Sequence, residues 1–405
     1  MPLVVQKYGG TSVGDVSRIR AVAERVASRR KAGDSVVVIV SAMGHTTDEL
    51  IRMAGEVSPH HHAREMDMLL TAGERISMAL LAMAIRDHGV EAMSLTGSQA
   101  GILTDMIHGR ARIRDIRAFR VEAGLAEGKV VIVAGFQGVN PDTKEITTLG
   151  RGGSDATAVA MAAALGAEAC EIYTDVDGVF SADPAVVPGA RKLGEISYDE
   201  MLEFASAGAR VLMERSVEFG KRFGVPIHVR SSFHDSEGTW VKESTMEQTS
   251  VVGIAHDTAI GLVTVRSVAG GPAELLEALA DEGVGVELIL QTTPRDGAAD
   301  VTLVVPAAQR DPARLVAETV ASRIGAGPVD VDDASGRVSL IGSGIASQSG
   351  VTASLFTALA AAGIPIRAVS SSPIRITCLV ASEDVEKAVR VLHDRFDPPA
   401  PVVEP

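Results

Sequence analysis

Lys7-Tyr8-Gly9-Gly10-Thr11-Ser12, directly after the apolar run Leu3-Val4-Val5, is the stretch on which the fold turns. A strand that runs into two glycines lets backbone N–H groups approach an anion with no Cβ in the way, and a following helix adds the positive end of its dipole. Lys7 brings the mobile charge that accompanies phosphoryl transfer. The same six residues also suit a plain turn between strand and helix, so the rest of the chain has to decide.

Working outward, strand and helix signals alternate as in a parallel sheet covered by helices. A helix over Val16–Lys31 stops at Gly33, and Ser35-Val36-Val37-Val38-Ile39-Val40 reads as a buried strand ending at Ser41-Ala42-Met43-Gly44. A long helical segment over 63–88 and a strand over 92–95 follow. The strand over 129–134 ends in Gly135-Phe136-Gln137-Gly138. Gly150-Arg151-Gly152-Gly153-Ser154-Asp155 then opens an Ala-rich helix over 156–165, and another strand covers 169–173. In open α/β sheets ligands sit at the carboxyl ends of strands, which is where these glycine-rich segments fall.

At 405 residues two or three domains are expected. Hydrophobic residues at 46% with only 3% aromatics suit aliphatic α/β packing. A formal charge of −14, without a Lys/Arg-rich block, argues against a nucleic-acid surface but leaves room for ATP in a local positive pocket. Cys170 and Cys378 stand apart with no CxxC or Cys/His spacing, so neither a disulfide framework nor zinc is expected and a reducing cytoplasm is the expected location. The N-terminus enters a strand without a signal-peptide pattern, and no apolar run is read as approaching a membrane span.

Residues 231–250 are polar and irregular and read as a linker. Beyond them a small βαββαβ unit is duplicated: Ala273-Glu274-Leu275-Leu276-Glu277-Ala278-Leu279-Ala280 aligns with Ala353-Ser354-Leu355-Phe356-Thr357-Ala358-Leu359-Ala360, each followed by Gly283 or Gly363 and a strand. The second copy ends before its last strand, and the strand over 251–255 is a candidate to complete it. The expected division is 1–230, a linker over 231–250, small units over 251–325 and 326–397, and a disordered tail over 398–405.

Glu74 lies in an apolar helical stretch, where a carboxylate is costly without a cation. A substrate ammonium would serve, and so would Arg75 or another neighbour. Arg151 offers a fork for a carboxylate beside the backbone N–H groups of a helix start, while Asp155 equally suits a helix cap. Residues 173–184 are rich in turn formers after a strand; glutamate spacing fails for a calcium loop, and a nucleotide pocket is the open alternative. His60-His61-His62 sits in a connecting segment and is not read as a metal site. Trp240 reads as a packing residue.

In order, these motifs, with Thr71-Ala72-Gly73-Glu74-Arg75 and Tyr173-Thr174-Asp175-Val176-Asp177-Gly178, resemble the aspartate kinases, most closely the bacterial lysine- and threonine-regulated type. The resemblance implies a three-layer αβα amino-acid-kinase sandwich followed by two ferredoxin-like ACT domains. It implies ATP-dependent phosphorylation of L-aspartate to 4-phospho-L-aspartate, with Mg2+ on the nucleotide, at the head of lysine, threonine and methionine biosynthesis. Lys7, Glu74 and Asp155 become the catalytic candidates, with Asp155 orienting Lys7 or neighbouring groups. Thr47, Glu74, Arg151, Gly152, Gly153 and Ser154 would hold aspartate. Gly9, Gly10 and Ser41 would line the phosphates, and Lys7, Tyr8 and Ser12 would also contact ATP. Tyr173, Thr174, Asp175, Val179, Asp183, Pro184 and Arg210 would border the rest of ATP, with Arg210 standing where the family usually has lysine.

Gln291, Glu287, Val351, Thr352, Ile366 and Ser372 fall at effector positions. There the family's Asp-Lys-Pro-Gly appears as Gly270-Gly271-Pro272-Ala273 and its His-Pro-Gly-Val as Gln348-Ser349-Gly350-Val351, so weakened feedback by lysine and threonine is expected. A homo-oligomer through the ACT units is implied, or an α2β2 assembly if Met246 serves as an internal start. A carbamate, glutamate or uridylate kinase would share the fold, and a non-catalytic amino-acid sensor would predict a damaged phosphate site. Lys7, Gly10, Glu74, Arg151 and Asp155 are all present.

Overall fold

The structure, a computed structural model, describes residues 2–209, 211–244, 251–345, 348 and 350–396. The larger part runs β1 (Leu3–Tyr8), α1 (Val16–Lys31), β2 (Ser35–Val40), α2 (Thr46–Val57), α3 (Ala63–Asp87), β3 (Ala92–Leu95), β4 (Ile102–Thr104), β5 (Ile113–Ile116), α4 (Phe119–Ala126), β6 (Val130–Ala134), β7 (Gln137–Val139), β8 (Ile146–Thr148) and α5 (Gly153–Leu165). It continues through β9 (Ala169–Thr174), β10 (Glu195–Ser197), α6 (Tyr198–Ser206), α7 (Glu214–Phe223), β11 (Ile227–Ser231) and β12 (Thr239–Lys242).

Eight strands form one sheet in the order β10-β12-β11-β9-β1-β2-β6-β3, with β1 parallel to both β2 and β9. The central strands are continuous apolar runs because both faces are covered by helices. α1 is started by the Asp15 carboxylate, which accepts from Arg18 N at 2.9 Å, and ends in Arg29, Arg30 and Lys31, which complement its dipole. A separate four-stranded sheet, β5-β4-β7-β8, caps one side of the domain.

The smaller part runs β13 (Gly253–Asp257), β14 (Ile260–Ala269), α8 (Ala273–Asp281), β15 (Leu288–Gln291), β16 (Ala298–Pro306), α9 (Arg310–Ile324), β17 (Val329–Asp332), β18 (Ser335–Ile341), α10 (Val351–Ala361), β19 (Ala368–Ser372), β20 (Arg375–Ala381) and α11 (Val385–Phe396). Its two sheets have orders β15-β16-β14-β17 and β19-β20-β18-β13. The first unit is a complete βαββαβ. The second takes its fourth strand, β13, from the chain before the first, pairing Gly253 with Ile341 in antiparallel register. Apolar side chains of both sheets, Leu262 and Val304 with Leu379 among them, meet in one cluster.

Three expectations need correction. β12 lies within the expected linker yet joins the large sheet, antiparallel to β11 and parallel to β10, so the sheet extends to Lys242. Its Trp240 stacks on His228, ring centroids 3.9 Å apart. β17 lies beyond the expected boundary at 325 but pairs with β14, because the first unit needs a strand to cover that edge. α3 is 25 residues long and apolar enough by length and composition to cross a membrane. Here one face of it packs onto the sheet, with Asp67, Thr71, Glu74, Ser77, Leu81 and Ile85 buried, while Ile76 and Met83 are exposed on the other. Residues 245–250, and with them Met246, lie outside the described residues, as does the tail from 397.

Candidate active site

β1 delivers Lys7 to the middle of the large sheet, in register with Ile39 and Ile172. Its Nζ lies 2.5 Å from Asp155 Oδ1, both side chains about nine-tenths buried. Asp155 stands in the first turn of α5, so the pair sits where β1 ends and α5 begins. Gly9 lies beneath Nζ: a Cβ there would be 3.5 Å from it. Gly10 packs against the turn after β2, its carbonyl accepting from Gly44 N at 3.0 Å, and a Cβ at Gly10 would stand 3.0 Å from Ala42 O. The two glycine-rich strand ends therefore interlock, and Ser41, whose N–H donates to Tyr8 O, joins the same rim.

Glu74 comes from α3 and is 4% exposed. Its Oε1 accepts from Ala42 N at 3.1 Å, while Oε2 is buried with no partner. Burial pushes its carboxyl up to about 7, against the pull of the Ala42 N–H. Arg151 is exposed and makes no ion pair or hydrogen bond among the described residues. Gly150 (φ 77°) and Gly152 (φ 68°) hold the turn that presents it, and a Cβ at Gly152 would lie 2.1 Å from Met213 Cγ. Gly153 and Ser154 follow in the first turn of α5, and Thr47 stands in the first turn of α2, its hydroxyl making no hydrogen bond among the described residues.

Tyr8 and Tyr173 are placed differently from the cradle residues. Their rings stack at 4.7 Å in the core, and the Tyr173 carbonyl accepts from Gly9 N. Ser12 is also buried, its Oγ 2.5 Å from Ser232 Oγ. These three side chains support the cradle from beneath instead of lining it.

Past the end of β9 a cavity of about 550 Å3 opens, a size that suits a nucleoside. Thr174, Asp175, Val179, Asp183 and Pro184 line it, as the turn-rich segment led one to expect. Arg210 lies outside the described residues, between Ala209 and Val211 of the same lining. Sequence reasoning missed Phe204, from α6, and Ile254, His256, Asp257 and Thr258, from β13 and the turn after it. No local motif marks them, since they arrive from other parts of the chain.

The effector candidates are not gathered in one place. A polar cavity of about 420 Å3 between α6, α7 and both small sheets includes Glu287 but none of the other five. Glu287 is bound to Arg337, 2.7 Å away, and Arg337 also reaches Asp257 at 3.1 Å. Ser372 leans toward Glu203 at 3.5 Å. Gln291 is exposed at the end of β15, and Val351 and Thr352 begin α10. Ile366 is half-buried ahead of β19.

Residues 2–231 match the amino acid kinase family, and residues 338–396 match the ACT domain. The chain is 52% identical to the aspartokinase of Mycolicibacterium smegmatis, over 98% of this chain and 96% of that one, and 49% identical to the aspartokinase of Corynebacterium glutamicum with the same coverage. Among solved structures it is similar to E. coli aspartokinase III in complex with aspartate and ADP in the R-state, with TM-score 0.83 and 26% identity over 98% of this chain and all of that one. Against the same enzyme with lysine and aspartate in the T-state the TM-score is 0.76, again at 26% identity, covering 97% and 99%.

Proposed function

We infer the chemistry of this site from the family to which the chain belongs: it is a member of the amino acid kinase family and, within it, of the aspartokinases. It transfers the terminal phosphoryl group of ATP to the side-chain carboxylate of L-aspartate. The bond from Pγ to its bridging oxygen breaks, a bond from Pγ to a carboxylate oxygen forms, and ADP and 4-phospho-L-aspartate result. The acceptor is already ionised and needs no general base, so catalysis consists of bringing two anions together and neutralising the charge between them.

In this reading Lys7 neutralises the transferring group, and Asp155 keeps its Nζ over Gly9. Gly9, Gly10 and Ser41 receive the phosphates. Arg151 takes a carboxylate of aspartate, Glu74 its ammonium, and Thr47, Gly152, Gly153 and Ser154 complete that pocket. The observation that carries the assignment is Glu74 Oε2, a buried carboxylate oxygen without a partner in a site that also offers an unpaired Arg151. A zwitterionic substrate satisfies both. Mg2+ bound on the phosphates would supply further neutralisation. The residues fit an ion carried by the nucleotide, since Asp155 is engaged by Lys7 and no group of three metal-binding side chains occurs among the described residues.

The test is aspartyl phosphate trapped as the hydroxamate. Glu74→Ala and Arg151→Ala should each raise KM for aspartate at least about tenfold and leave KM for ATP alone. A wild-type chain that makes no aspartate-dependent product would overturn the reading.

We read both small units as ACT domains, with boundaries near 253–257 plus 335–396 for one and 260–332 for the other. E. coli aspartokinase III has been solved with lysine, which supports amino-acid effectors for this architecture. Here effector control is weakened. The turn before α8 is Gly270-Gly271-Pro272, with no side-chain cap, and Glu287 is already paired. Lysine and threonine added together should leave the hydroxamate rate nearly flat, and a steep fall would refute this. The edge strands β15 and β19 carry exposed Ile289 and Val369, which supports assembly into a homo-oligomer or an α2β2 complex through these edges.

A further inference from the structure

The loop that lines the nucleotide cavity is held at its midpoint by the second small unit. Val179, Phe180, Ala182, Asp183 and Pro184 face the cavity, and Ser181 between them is fully buried. Four hydrogen bonds fix Ser181, the first from its own N–H to Arg191 O at 2.8 Å. Its carbonyl accepts from Ile254 N of β13 at 2.7 Å. Its Oγ accepts from Arg191 N at 3.0 Å, and the same Oγ lies 3.0 Å from His393 Nε2 of α11. The hydroxyl, which already accepts from the Arg191 N–H, donates to His393 Nε2 or accepts from it according to the imidazole tautomer, and either way one hydrogen bond ties α11 to the loop. His393 is 6% exposed and lies 212 residues further along the chain.

The approach of β13 is equally close. A Cβ at Gly253 would stand 2.4 Å from Ser181 O and 2.8 Å from Phe204 Cζ, so only glycine lets the strand reach the loop. The same strand supplies Ile254, His256 and Asp257 to the cavity wall. The second unit thus touches the nucleotide cavity directly and grips the loop on its other side.

We propose that His393, acting through Ser181, is a positioning residue for ATP. By holding the Val179–Pro184 loop it sets nucleotide affinity, leaving aspartate affinity to the cradle and α3. The proposal rests on the cavity being the nucleoside site. A buried hydroxyl deprived of its histidine partner loses a bond of ordinary strength and frees the loop to relax, so the effect falls on ATP binding and not on the phosphoryl step.

The experiment uses the full chain and two readouts: binding of a fluorescent N-methylanthraniloyl-ATP displaced by ATP, and separate KM values for ATP and aspartate. His393→Leu and Ser181→Ala should each weaken ATP roughly fivefold, with kcat and KM for aspartate within about twofold of wild type. The double variant should be no worse than His393→Leu alone, as expected for two ends of one bond. His393→Gln, whose side-chain amide can accept from the hydroxyl or donate to it, should recover most of the affinity. A merely structural histidine would instead lower thermal stability and kcat with both KM values moving together, and glutamine would not rescue it; that pattern, or unchanged ATP affinity in both single variants, refutes the proposal. Failure of the underlying reading looks different, since then the wild-type chain itself would not bind the labelled nucleotide.

Discussion

The two small units follow one pattern and are closed in different ways. The first takes its edge strand, β17, from its own end and is complete between 260 and 332. The second is closed by β13, the strand that leads out of the kinase domain, so it cannot be assembled without reaching back to the cavity past β9. Equal folds thus acquire unequal leverage. A disturbance in the second unit reaches the Val179–Pro184 loop through Ile254 and His393, whereas Glu287 of the first unit reaches that wall through Arg337, which pairs with Asp257.

Core truncation is the strongest way to break this comparison. Leu303→Ala in the first unit and Leu340→Ala in the second remove fully buried side chains, and each should cost about 2–5 kcal/mol in denaturant unfolding. Only Leu340→Ala should raise KM for ATP; an equal rise from both would erase the distinction. Arg337→Met removes the cation shared by Asp257 and Glu287 and should cost about 2–3 kcal/mol, less than a fully buried pair because Glu287 keeps 32% side-chain exposure. Gly253→Ala should cost about 1–3 kcal/mol by overpacking and weaken ATP binding. Gly285→Ala, where a Cβ would meet only Gln309 Oε1 at 3.5 Å, should change neither.

A pH series sharpens the comparison inside the kinase domain, where the aspartate and ATP halves should respond separately. Glu74 has its carboxyl raised to about 7, so the folded state holds a proton that the unfolded chain has lost, and stability falls as pH rises from about 4.5 to 7. A bound ammonium restores it. KM for aspartate should therefore drop as pH rises through 7, with KM for ATP flat, and Glu74→Gln without substrate should melt higher than wild type at pH 8. An aspartate KM that ignores pH in this range would remove Glu74 from the ammonium site.

Legibility followed how local the physics was. The strands over Leu3–Tyr8 and Ser35–Val40 announce themselves as apolar runs ending in glycines, and the cradle is readable because glycines, a lysine and a helix start must be adjacent to receive phosphate. β12 was hidden by Asp235-Ser236-Glu237-Gly238 just ahead of it; its place depends on the vacant edge beside β11. β17 reads Val-Asp-Val-Asp, too polar to claim a sheet until β14 is there to pair with it. The aspartate residues were legible as charges in unfavourable company. The Lys7–Asp155 pairing was implied by the family resemblance, whereas the free oxygen of Glu74 could only be seen in three dimensions.

By itself the amino-acid order determined the α/β alternation, the phosphate cradle, the duplicated small unit and the family, because each depends on periodicity or on residues that are neighbours in the chain. Tertiary structure decided which unit β13 completes, that Ser181 is held from α11, and that His256 and Asp257 wall the cavity past β9. These contacts join segments up to 212 residues apart. Only packing and strand-edge satisfaction over the whole chain selects them, and neither leaves a local pattern to be read.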